Sequence, residues 1–173
     1  MKKILISITL LISAISWSQD KAHEIKLNAL RALVTPAIGI NYEYAANENS
    51  SLGLSTFIRL DSPDDDYMNF AIGPYYRQHF FENLTPGDNG FYIDGMLQYS
   101  TGKDESRVIE ETQVVVTENY SDLGIAFGAG YKLVSNNGFT IDAGGAVGRN
   151  FKLDSNSPDF FFRWGINLGY RFF

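Results

Sequence analysis

Two imidazoles, His23 and His79, are present and cysteine is absent. Nucleophile–base chemistry would therefore have to be built on one of these histidines and a hydroxyl. Neither stands in a His-x-Ser arrangement, so a Ser–His hydrolase is not expected, and the chain reads as a non-enzyme with no catalytic residues. His79 precedes Phe80 and Phe81 and reads as an interfacial residue. His23 reads as part of a frayed terminus. Asp61, Asp64, Asp65 and Asp66 offer hard oxygen ligands of the kind Ca²⁺ takes, but their spacing lacks the glycine and closing glutamate of an EF-hand. They read as a solvated acidic loop. Neither a metal nor a cofactor is expected.

A third set of chemical residues is spread over the whole chain. Glu43, Arg59, Arg77, Asp94, Lys132, Asp142 and Arg163 occur singly in runs of otherwise apolar and small residues. A charge in such a run must find a partner or water. These residues read as ion pairs that fill an interior. The functional alternative is a gated polar pathway.

The elements that would position them follow from a period of two. Leu123, Ile125, Phe127, Ala129, Tyr131 and Leu133 alternate with Asp122, Gly124, Ala126, Gly128, Gly130 and Lys132. Phe162, Trp164, Ile166, Leu168, Tyr170 and Phe172 alternate with Arg163, Gly165, Asn167, Gly169 and Arg171. Similar runs start near Ile38, Leu52, Asn69, Phe91 and Phe139, and a less regular one covers 24–33. The pattern predicts eight antiparallel strands. Most runs supply the roughly 9–11 residues that a tilted membrane-spanning strand needs. Pro74 would remove a ladder donor, so a bulge or a local break is expected there.

Residues 1–18 look like a secretory signal peptide. Lys2 and Lys3 precede an apolar stretch from Ile4 to Ile15, and Ser16-Trp17-Ser18 supplies small residues at the cleavage positions. The mature chain is expected to start near Gln19, with 19–173 forming one barrel domain. The net charge of −6 argues against nucleic acid as a partner. With both ends of the mature chain on the inner side, the inner turns fall at 46–50, 82–90 and 135–138. The outer loops fall at 34–37, 61–67, 101–121 and 151–159. The outer loops are acidic. The loop 101–121 carries β-branched residues on both sides of a polar tip, which predicts a hairpin that continues the strands.

An eight-stranded soluble carrier of the lipocalin kind would turn its apolar face inward. The other face here is dominated by Gly, Ala, Ser and Asn with isolated charges, whereas soluble surfaces are dense in Lys and Glu. Leu123, Ile125, Phe127, Tyr131, Ile166, Leu168 and Tyr170 are therefore expected to face outward, and the charged set to face a narrow lumen. Arg77, Asp94 and Glu43 are expected to form one cluster. Parity also fixes the turn before Phe139. A three-residue loop keeps Lys132 and Asp142 on the same face, and it asks for positive φ at Gly138. A Lys132–Asp142 ion pair follows as an expectation.

Lys26-Leu27-Asn28, Gly39-Ile40-Asn41-Tyr42-Glu43-Tyr44, Ser51-Leu52-Gly53-Leu54 and the terminal Gly169-Tyr170-Arg171-Phe172-Phe173 carry a resemblance that covers about 22–173. On these residues the chain resembles the small outer-membrane barrels of the outer membrane protein A and X type, particularly the short barrels common in Bacteroidetes. It departs in ending on two Phe residues and in having Asn167 where Gly often stands. The resemblance implies an all-β, up-and-down transmembrane barrel in the bacterial outer membrane. Outer-membrane lipid and lipopolysaccharide would surround it, and the barrel-assembly machinery would recognise its aromatic end. It implies no catalytic residues. The expected role is structural or a surface interaction of the adhesion kind, with 101–121 as the surface for an extracellular protein. The alternatives are a narrow channel for small solutes and, from another class, a soluble ligand carrier.

Overall fold

The computed structural model describes residues 23–47, 49–61, 67–81, 90–109, 114–155 and 157–172. The segment expected to be a signal peptide, the expected inner turn at 82–89 and most of the acidic loop, at 62–66, lie outside them. The elements are β1 (His23–Asn28), α1 (Ala29–Val34), β2 (Ala37–Asn47), β3 (Ser50–Arg59), β4 (Tyr67–Phe81), β5 (Gly90–Ile109), β6 (Val114–Val134), β7 (Phe139–Asn150) and β8 (Phe160–Phe172). Each strand pairs antiparallel with the next, and β1 closes on β8, giving a closed eight-stranded up-and-down barrel.

The first strand differs from the sequence reading, which ran it to residue 33. It stops at Asn28, whose side chain accepts from the Arg31 backbone N–H at 3.0 Å and caps α1. Asn is a favoured residue for that role. At the far end the Thr35 N–H donates to the Arg31 carbonyl at 2.9 Å, and Pro36 follows. The connection expected at 34–37 is thus a helical turn plus a short link. It sits over the outer mouth, where the Arg31 guanidinium lies 4.4 Å from the centre of the Phe57 ring.

Register explains Pro74. The β4–β5 partners pass from Ile72↔Tyr99 to Tyr75↔Met96 without a change of offset, so pairing is interrupted at Gly73 and Pro74 with no inserted residue. The bulge in this pair lies instead between Met68 and Phe70. The turn between β6 and β7 is the three-residue form. Val134 faces Thr140, the Gly138 N–H donates to the Ser135 carbonyl at 2.9 Å, and Gly138 has φ +86°. Only glycine adopts such a backbone readily.

β5 and β6 outrun their neighbours. β4 begins at Tyr67 opposite Lys103, and β7 ends at Asn150 opposite Gly124. Beyond those points the two strands pair with each other out to Ile109↔Val114. This is the hairpin that the β-branched residues predict.

The faces are inverted relative to a water-soluble protein. Leu123, Ile125, Phe127, Tyr131, Ile166, Leu168 and Tyr170 all stand exposed on the outside, Phe127 at 65%. Glu24, Lys26, Glu43, Lys132 and Asp142 are at most 3% exposed inside. A small cluster of buried Tyr75, Met96, Ala126 and Phe161 joins them there. Inward glycines make room for the large rings. A Cβ at Gly53 would fall 2.1 Å from the Tyr75 ring, and one at Gly130 would fall 2.3 Å from the Tyr92 hydroxyl. No helix among the described residues is long and apolar enough to cross a membrane.

Candidate functional site

The lumen is crossed by ionisable side chains drawn from seven strands. Alternation turns Glu24 and Lys26 inward on β1, Glu43 on β2, Arg77 and His79 on β4, Asp94 on β5, Lys132 on β6, Asp142 on β7 and Arg171 on β8. A narrow eight-stranded interior lets their ends meet. Glu43 is the hub. Its Oε2 accepts from Lys26 Nζ at 2.7 Å, Arg77 Nη1 at 3.0 Å and the Tyr75 hydroxyl at 3.0 Å. Its Oε1 accepts from Lys132 Nζ at 3.1 Å. Asp142 accepts from Arg77 at 2.6 Å, Lys26 at 3.0 Å and the Tyr92 hydroxyl at 2.5 Å. Glu24 takes Lys132 at 2.7 Å and Arg171 at 2.8 Å. Arg77 Nη2 reaches Asp94 at 3.1 Å, and its guanidinium lies 3.6 Å from the centre of the Tyr92 ring.

The carboxylates Glu24, Glu43, Asp94 and Asp142 therefore face the cations Lys26, Arg77, Lys132 and Arg171, sign for sign. Each buried ion costs several kcal/mol of desolvation, which only multiple close partners offset. Glu43 and Asp142 have those partners. The cluster thus ties the strands together across the lumen.

Of the residues singled out from sequence, Glu43, Arg77, Asp94, Lys132 and Asp142 come together here. Arg59 and Arg163 do not. Arg59 pairs with Asp61 at 3.0 Å, and Asp64, Asp65 and Asp66 lie outside the described residues. Arg163 lies toward the outer end beside Ser55. Lys132 and Asp142 are register partners on the same face, but they do not bond to each other. Each reaches across the lumen, Lys132 to Glu24 and Glu43, Asp142 to Lys26 and Arg77. Sequence reasoning left Glu24, Lys26 and Arg171 out of the set. Arg171 shares parity with Arg163, and that signal was available. Glu24 and Lys26 were hidden by the irregular reading of β1.

Both histidines differ from their sequence readings. His79 shares parity with Arg77, and it is inside, 4% exposed, with Nε2 3.0 Å from Ser51 Oγ and 3.6 Å from Glu43 Oε1. A catalytic relay needs the acid and the hydroxyl on opposite ring nitrogens. Here one nitrogen faces both, and Ser51 is 2% exposed, so this trio packs and does not form a triad. His23 is ordered in β1. Its ring lies 2.6 Å from the Tyr42 hydroxyl and stacks on Phe172 with centroids 5.9 Å apart.

A closed eight-stranded barrel with apolar side chains outside and ions inside has the architecture of the small outer-membrane barrels. Among solved structures, the N-terminal β-barrel domain of OprF from Pseudomonas aeruginosa is similar with a TM-score of 0.58 and 17% identity, over 89% of this chain and 98% of that one. Neisserial surface protein A is similar with a TM-score of 0.48 and 13% identity, over 87% of this chain and 93% of that one. No family model and no curated protein sequence matches the chain.

Proposed function

We propose that the chain is an integral protein of the bacterial outer membrane, exported by a cleaved leader over 1–18. Its barrel is a closed, non-enzymatic anchor that presents the β5–β6 hairpin at the cell surface. The observation that carries this reading is the inversion of the faces. An apolar exterior such as Phe127, Ile166 and Leu168 form around a buried ion cluster is stable in lipid and aggregates in water. The same inversion speaks against a soluble carrier. Lipid and lipopolysaccharide would contact the exterior, and the assembly machinery would receive the β8 end.

The ion cluster favours a closed barrel over a channel, because Glu43 and its partners bridge the lumen from several sides. The hairpin favours a surface interaction. Its outer edges have no further strand beside them among the described residues, so an extracellular protein could add a strand there. Fractionation should find the protein in the outer membrane, starting near Gln19 and migrating differently on gels when unheated. Planar bilayers should show no steady conductance. Recovery in the soluble periplasmic fraction would overturn the membrane reading. A stable ohmic conductance would replace the closed anchor by a channel.

A further inference from the structure

Between the ion cluster and α1 the lumen is not filled. A cavity of about 70 Å³ remains, floored by Lys26 and Arg77 and walled by Asn41, Asn167 and Arg163, with Arg31 also at its lining. Such a space holds several waters or one small oxyanion. The carboxylates at its lining, Asp94 and Asp142, are taken up by Arg77 and Lys26 below. Of the two cations above them, Arg163 is attracted by Asp94 without forming an ion pair with it, since Asp94 is bonded to Arg77, and Arg31 has no carboxylate beside it among the described residues. Arg163 donates to Ser55 Oγ at 3.0 Å and touches Met96 Sδ, both uncharged. The Arg31 side chain rests on the Phe57 ring. Among the described residues neither guanidinium forms an ion pair with a carboxylate. Burial, and after it the guanidinium groups of Arg163 and Arg59, hold the Arg31 guanidinium below its ordinary value. The cations of this mouth therefore repel one another in a partly desolvated space.

Elsewhere in this lumen Lys26, Arg77, Lys132 and Arg171 each have a carboxylate partner. A surplus of guanidinium around an open cavity calls for an anion, and forked N–H donors suit the tetrahedral oxygens of phosphate better than a spherical halide. We propose that the outer cavity is a binding site for a small phosphate-class oxyanion, held between Arg31 and Arg163. The amides of Asn41 and Asn167, already bonded to each other at 3.1 Å, form its polar wall. The proposal concerns the lumen alone and does not depend on the surface role.

The test is a thermal melt of the purified barrel in detergent, titrated with sodium phosphate and with sodium chloride at matched ionic strength. Phosphate should raise the melting temperature along a saturating curve that chloride does not reproduce. Arg31→Gln should weaken the apparent affinity by about tenfold, the loss of roughly one charge-assisted hydrogen bond. Arg31→Gln combined with Arg163→Gln should abolish saturation. Arg31 braces no strand through an ion pair, so the single variant folds and keeps the test decisive even where the double variant does not. Glycerol phosphate in place of phosphate separates the sources. Saturation by both assigns the site to the phosphate end of a larger molecule, and saturation by inorganic phosphate alone assigns it to the free ion. Identical responses to phosphate and chloride would overturn the proposal, as would saturation unchanged in Arg31→Gln.

Discussion

Arg77 Nη1 lies 2.6 Å from Asp142 Oδ2, joining β4 to β7 across the lumen although the two strands are not neighbours in the sheet. The same nitrogen also reaches Glu43 at 3.0 Å, and Arg77 Nη2 reaches Asp94 at 3.1 Å. Removing this one cation leaves three carboxylates short of a partner in a largely buried site. Arg77→Ala should lower the unfolding free energy by about 3–5 kcal/mol. Urea unfolding of the barrel in detergent checks this, and an unchanged midpoint would remove the cluster's role as a brace.

Two adjacent glycines separate lumen from exterior. A Cβ at Gly144 would stand 2.4 Å from the Tyr92 hydroxyl and 2.9 Å from the Ala129 carbonyl oxygen. Tyr92 is held by its 2.5 Å bond to Asp142 and has little room to retreat. Gly144→Ala should cost about 1–3 kcal/mol as an overpacking change. At Gly145 the nearest atom is 3.4 Å away, and the residue faces outward. Gly145→Ala should be neutral, or stabilising by less than about 1 kcal/mol. Denaturation midpoints of the pair would show equal effects only if the inward–outward alternation of β7 were wrong.

Parity made the faces legible from sequence, and with them the residues that line the lumen. It could not give the pairs. Lys132 and Asp142 are cross-strand neighbours, yet their charged ends part, because a long Lys side chain in a narrow barrel reaches the opposite wall as easily as the adjacent strand. Which groups meet across the lumen depends on how the strands are staggered around the closed sheet, and no local pattern encodes that. The first strand was obscure for a different reason. Leu30, Leu33 and Val34 follow Asn28 at the i, i+3, i+4 spacing of a helix, and the Asn28 side chain caps that helix and ends the strand. The two-residue period therefore stops at Asn28, where the sequence reading ran the strand on. The unmatched arginines were illegible as a site, since Arg31 belongs to that unrecognised helix.

Ile166 lies midway along β8 and Phe160 at its outer end, both exposed. In lipid the cost of an outward charge depends on depth. Ile166→Arg should destabilise the folded, membrane-inserted barrel by about 2–4 kcal/mol, and Phe160→Arg by no more than about 1 kcal/mol. Reversible guanidine unfolding in lipid vesicles measures both. Equal costs at the two positions would mean that no bilayer midplane crosses β8 near Ile166.

The hairpin permits a deletion that separates anchor from surface role. Asp104 through Ile109 pair only with residues 114–118, and the barrel's own ladder resumes at Lys103↔Asn119. Replacing 104–118 by a two-residue Asn-Gly turn keeps that pair in register, since such a turn matches the twist of an antiparallel hairpin. Tyr120 and Asp122 remain in place, and with them the hydrogen bonds that Asp122 accepts from the Leu153 N–H and the Ser157 hydroxyl, which hold the neighbouring outer loop. The shortened protein should therefore insert normally and unfold within about 0.5 kcal/mol of the full chain, as expected for a change remote from the core. Cells carrying it should lose whatever attachment the full-length protein confers in a surface-adhesion assay. A melt that collapses with the deletion would make the hairpin part of the barrel's stability. Attachment that survives an intact melt would move the interaction surface to the other outer loops.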